Sequence, residues 1–160
     1  MEGGRIQLEG ISEEDQAIIV STMSELKFFA DRGFNNITYT IKLDNIIYRL
    51  GIPFGTHQLH DLEIYSRRIN TLCVLVDMKE HIELLNRTNG RYSVFIKIDT
   101  GYHRAGLDAN KPESIIDLAK AIQESPVCSF LGLYSHAGHS YDQPSVEEIK
   151  RVAREERGFL

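Results

Sequence analysis

Short apolar, β-branched runs alternate along this chain with longer stretches of helical spacing. Residues 17–21 (AIIVS) read as a buried strand, and residues 22–32 follow with Leu26, Phe29 and Ala30 on one helical face. Thr22 and Glu25 have capping-box spacing, and Gly33 is the expected C-terminal stop. Residues 37–42 predict a second strand, and Asp44 caps a short helix through Leu50, stopped by Gly51 and Pro53. Residues 55–68 suggest a further helix through Leu59, Leu62, Ile64 and Tyr65. Residues 72–76 (LCVLV) predict a third strand, after which Asp77 and Glu80 form a capping box for a helix over 78–89, ended by Gly90. Residues 92–98 are the fourth strand and 112–124 an amphipathic helix with Ile115, Ile116, Leu118, Ala119 and Ile122 on its apolar face. Residues 127–134 are the fifth strand. Ser145 and Glu148 then open a helix that runs to the end of the chain.

This alternation predicts an α/β fold with a parallel sheet and helices packed outside it. A (β/α)8 barrel and a doubly wound sheet both satisfy the pattern, because strands are near-continuous apolar runs in each. No G-x-G-x-x-G follows the first strand, which removes the best support for a dinucleotide fold. Periodicity alone does not choose between the two; about five strand–helix units fall short of a complete (β/α)8 barrel, and a chain that ends inside a helix reads as a single, truncated domain over residues 1–160.

Composition narrows the function classes. The 160 residues are 42% hydrophobic and 26% charged, as in an ordinary globular domain. Net charge is -5 with both signs mixed, which argues against a nucleic-acid partner. No apolar run reaches membrane-span length, and no apolar core follows the first residues as a secretory signal requires. Cys73 and Cys128 lie in strand-like apolar runs and read as core residues of a reducing compartment, so a cytoplasmic location is expected.

Ligands in parallel α/β proteins sit beyond the carboxyl ends of the strands. Two such ends are dense in chemistry. The first is KIDTGYHRAGL, residues 97–107. Lys97 and Asp99 alternate out of an apolar strand onto one face, where each should pair with the other or with Arg104. Gly101 and Gly106 permit a turn that returns Arg104 over the strand end. The residues alone slightly favour a structural Lys–Asp–Arg network with turn glycines over a ligand site. The second end is YSHAGHSY, residues 134–141. His136 and His139 are candidate metal ligands, but no third ligand has zinc-site spacing, so no metal site is assigned. Ser135 beside His136 is adjacency, not a catalytic triad, and a hydrogen-bonded structural histidine is an equal reading. His57, His60 and His81 read as solvated surface, and Asp77 as a helix cap only.

These two strand-end motifs, with IIVSTMSELKFFADRGFNNITY and LCVLVDMKEHIELL before them, resemble in order the D-serine dehydratase-like and D-threonine aldolase group of fold-type III enzymes. The resemblance implies a barrel of the alanine racemase N-terminal type, pyridoxal phosphate as cofactor, a small D-amino acid as substrate and a homodimer. Arg104 matches the arginine that approaches the cofactor's phenolic oxygen, and Lys97 the lysine that supports it. His136 matches the histidine against the pyridine ring, and Tyr134 and Tyr141 fall in the active-site tyrosine region.

By the same resemblance the Schiff-base lysine falls before Met1, and the phosphate loops and zinc ligands beyond Leu160. No catalytic residue is therefore assigned within the chain. The expected function is that of a fragment of a zinc- and pyridoxal phosphate-dependent lyase converting D-serine to pyruvate and ammonia. The alternatives are a D-threonine aldolase-like lyase or a non-catalytic barrel.

Overall fold

A computed structural model describes residues 6, 8–12, 16–39 and 56–159, the side chains of 56 and 57 excepted. The first strand, β1 (Ile18–Val20), leads into α1 (Met23–Ala30). Thr22 and Glu25 cap that helix reciprocally: the Thr22 hydroxyl accepts from the Glu25 amide at 3.1 Å, and the Glu25 carboxylate accepts from the Thr22 amide at 2.9 Å. Gly33 turns the chain at φ 90°, a conformation that favours glycine, and β2 (Asn36–Tyr39) follows. The expected helix over 44–50, and the strand beyond Tyr39, lie outside the described residues.

After α2 (Thr56–Arg68) come β3 (Thr71–Val76) and α3 (Lys79–Leu85). This helix departs from expectation at both ends. Met78, not Asp77, occupies the N-cap, with no side-chain cap bond, and Asn86 caps the other end. The Asp77 carboxylate is turned away to bond a loop elsewhere, so its spacing to Glu80 does not make a capping box. Next are β4 (Tyr92–Asp99), a two-residue β5 (Leu107–Asp108), α4 (Pro112–Gln123) and β6 (Cys128–Tyr134). The sequence pattern held no sign of β5, which is too short to carry a period. A single 3₁₀ turn, Gly138–Ser140, precedes α5 (Val146–Phe159), whose Glu148 amide donates to Ser145 Oγ at 3.3 Å.

All pairings are parallel, and the order is β1-β2-β3-β4-β6, with β5 added at the end of β4. The order never reverses, as a segment of a barrel requires and a doubly wound sheet does not allow. The alternation of β4 sets the two faces. Tyr92, Val94, Ile96 and Ile98 are buried toward the helices, where they meet Leu26, Leu62, Leu85, Leu118 and Ile122. Ser93, Phe95, Lys97 and Asp99 stand on the opposite face, half-buried. Of the expected face of α4, Leu118 and Ile122 are in the core, whereas Ile116 is 53% exposed. Both cysteines are free and buried in strands, as expected. No helix of the described residues is long and apolar enough to cross a membrane.

Candidate active site

The carboxyl ends of β3, β4 and β6 meet at one edge of the sheet, and the chemistry of the chain collects there. Lys97 and Tyr134 are partners in the β4–β6 register, and the Lys97 ammonium lies 5.4 Å from the centre of the Tyr134 ring. Past Asp99 the chain makes a tight loop and returns as β5. At its start Asp99 Oδ1 accepts from the amides of Gly101 and His103, both at 3.0 Å. His103 takes a positive φ of 55°, and its Nδ1 lies 3.3 Å from Asp99 Oδ2. At its end the Gly106 amide donates to Asp77 Oδ2 at 3.1 Å. Gly106 has φ 118°, and a Cβ there would stand 2.7 Å from the backbone of Ile98 and Asp99, so only glycine fits the closed turn.

Arg104 hangs between these two anchored amides, with its guanidinium 4.9 Å from the centre of the Tyr102 ring. Tyr102 in turn stacks on His139 (6.0 Å, 23°) and meets His136 edge-on at 5.9 Å, and His136 touches Tyr141 at 5.8 Å. Tyr102 also fills the space a side chain at Gly138 would need, approaching to 2.7 Å. Ser135 donates to the Glu156 carboxylate, tying the end of β6 to α5.

The expected network of Lys97, Asp99 and Arg104 is not built as such. Asp99 spends its oxygens on the loop's own amides and on His103, and among the described residues no carboxylate lies within 4 Å of Lys97 or Arg104. The electrostatics follow from that arrangement. Burial and the Arg104 charge push Lys97 below the usual lysine range, against the pull of Asp77 and Asp99. Burial, Arg104 and Lys97 push His136 down, with Glu156 opposing, so its ring is neutral near pH 7. Burial opposes the charge of Asp99, but the amides of His103 and Gly101 outweigh it and hold the carboxyl below its usual range.

Arg104, Lys97, Tyr134 and His136, all singled out from sequence, are thus brought to one edge. Tyr141 joins through His136 but is 74% exposed. Sequence reasoning passed over Tyr102, the ring at the centre of the cluster. His60 is exposed as expected, but His81 is not surface: it is 2% exposed on α3, its Nδ1 accepting from the Asp77 amide at 3.4 Å. Its place follows from burying Ile82, Leu84 and Leu85 on so short a helix. Among the described residues no group of three or more His, Cys, Asp or Glu is arranged to hold a metal ion.

A parallel β/α sheet in sequential order, with cations and aromatic rings gathered at its carboxyl edge, is a barrel segment. The family described as alanine racemase, N-terminal domain, matches residues 54–156, and the chain belongs to it. It is 35% identical over 154 residues to the D-serine dehydratase of Dictyostelium discoideum, covering 89% of this chain and 36% of that protein. Identity to the D-serine dehydratase of Saccharomyces cerevisiae is also 35% over 154 residues, covering 88% of this chain and 34% of that protein. The chain therefore spans about a third of the length of these relatives. In fold it is similar to the D-threonine aldolase of Filomicrobium marinum, with a TM-score of 0.71 and 19% identity, over 94% of this chain and 37% of that one.

Proposed function

We propose that this chain forms one wall of a pyridoxal phosphate site in a lyase that dehydrates D-serine. The observation that carries the cofactor is the pair of cations at one strand end, Lys97 and Arg104, close enough to act on each other and without a carboxylate within 4 Å among the described residues. Such a pair favours an anion, and the rings of Tyr134, Tyr102 and His136 beside it favour one that is flat and aromatic. These residue types fit pyridoxal phosphate. When bound, that group supplies an electron sink for the carbon beside the substrate amine.

The chain's own residues have separate tasks. Arg104 would hold an anionic ring oxygen of the group and favour its deprotonated form. His136, kept neutral by burial and two neighbouring cations, offers an uncharged ring face. Lys97 lies over the Tyr134 ring on the β4–β6 face, and Tyr141 meets His136 edge-on. Likeness to the two D-serine dehydratases carries the choice of substrate.

The test is a titration of the purified protein with pyridoxal phosphate, followed by visible absorption, and an assay of a chain spanning the relatives' full length. D-serine should yield ammonia and pyruvate. D-threonine cleaved to glycine and acetaldehyde, with D-serine untouched, would replace the dehydratase reading by the aldolase one. No saturable binding in either chain would overturn the cofactor reading.

A further inference from the structure

Arg104 is useful only if its guanidinium is held, yet it projects from an exposed turn. The turn is fastened at both ends by carboxylates from two different strands. Asp99, the last residue of β4, takes the amides of Gly101 and His103. Asp77, just past β3, takes the amide of Gly106 across 29 residues of sequence. Only Arg104 and Ala105 lie between the anchored amides of His103 and Gly106. The Asp77 side chain is 13% exposed, and its second oxygen lies 3.5 Å from Nδ1 of the buried His81. His81 Nδ1 accepts the Asp77 amide and so has no proton for that oxygen; the buried ring packs beside the carboxylate without donating to it.

We propose that Asp77 is a positioning residue for the site: by holding the Gly106 amide through Oδ2 it fixes the loop that presents Arg104. The inference rests on the cofactor reading above only for what Arg104 binds. The clamp itself is a statement about this loop. The acceptor, not the charge, is what the loop requires, because the bond is to a backbone N–H. Asparagine keeps an acceptor oxygen at the same place, and alanine keeps none.

Two measurements test this on the full chain. Amide exchange read by NMR should show Gly106 opening about tenfold faster in Asp77→Ala, the order expected when one hydrogen bond is lost. Asp77→Asn should restore most of the protection. Gly106→Ala, which leaves Asp77 intact but drives a Cβ into the backbone of Ile98 and Asp99, should loosen the same segment if Asp77→Ala fails to fold. Pyridoxal phosphate affinity, measured by fluorescence titration, should then fall in Asp77→Ala and recover in Asp77→Asn. In an Arg104→Ala background the Asp77→Ala change should cost nothing further, because the residue it positions is gone.

Unchanged Gly106 exchange in Asp77→Ala would overturn the clamp. Asp77→Asn behaving like Asp77→Ala would overturn it in favour of a role for the charge. An equal loss of affinity with and without Arg104 would show general disruption instead. If the unaltered chain does not bind pyridoxal phosphate, the cofactor reading falls by itself, and the exchange measurements still decide the clamp.

Discussion

Arg104 and Lys97 share one strand end without a carboxylate within 4 Å among the described residues, and a bound anion would relieve both. Arg104→Ala should therefore weaken pyridoxal phosphate binding roughly 10- to 100-fold, the worth of one charged hydrogen bond at ~1.5–3 kcal/mol. Its melting temperature should hardly move, since the side chain is exposed; an equal loss of fold and binding would mark a structural arginine. His81 makes a prediction of a different kind. Burial lowers its folded-state pKa, against the pull of Asp77 and Glu80. The unfolded chain then binds more protons below about pH 6.5, where free histidine titrates, so stability falls as pH drops through that window toward the depressed folded value. His81→Gln should flatten this acid limb in melts recorded across pH. Arg104, Lys97 and His136 were legible because charged and ring residues at the end of an apolar strand stand out locally. Asp77 was not, because its partner is an amide 29 residues away and its spacing to Glu80 imitates a cap.

At the scale of elements, the period of two in β4 survives intact in the folded chain, apolar residues toward the helices and Lys97 and Asp99 on the other face. Thr22 and Glu25 likewise form the capping box that their spacing predicts, because both partners lie within one turn. Thr22→Ala should cost about 1 kcal/mol and lower the melting temperature by a few degrees. A thermal melt checks it, and no change would mean that packing of Leu26 and Ala30 alone holds α1. Where elements were misjudged, the reason was a competing bond. Helix α3 ends at Leu85, four residues before the expected Asn89, where Thr88 turns inward to bond Tyr92 at 2.9 Å and Arg67 reaches the Asn89 carbonyl. Such cross-chain bonds have no periodic signature.

For the whole molecule, the barrel segment was legible from alternation and from the two strand-end motifs together; periodicity alone left the doubly wound sheet open. The strand order removes that alternative. Among the described residues, β1 pairs only with β2, and β6 only with β4 along its length, leaving two parallel edges. Ile19 is 61% exposed at one, and Phe130, Leu131 and Leu133 are exposed at the other. Unpaired edges with exposed apolar residues favour association. The 160-residue chain should therefore sediment as larger species at micromolar concentration, and a monodisperse monomer with a cooperative melt would contradict this. A chain of the relatives' full length should stay dispersed and release ammonia from D-serine.

The sequential order of the sheet bears also on how the chain is made. Ile18 pairs with Ile37, Thr38 with Cys73, Cys73 with Ser93 and Val94 with Phe130, each strand joining one already synthesised. After β1, every strand finds a partner already synthesised, so each unit can dock on its predecessor during translation. Arg104 is then assembled late in a fixed sequence: Asp77 is laid down with β3, Asp99 with β4, and the loop closes on both only as Gly106 appears. Nascent chains arrested once β3 has cleared the ribosome, but before Arg104 has emerged, should already protect β2 and β3 from proteolysis.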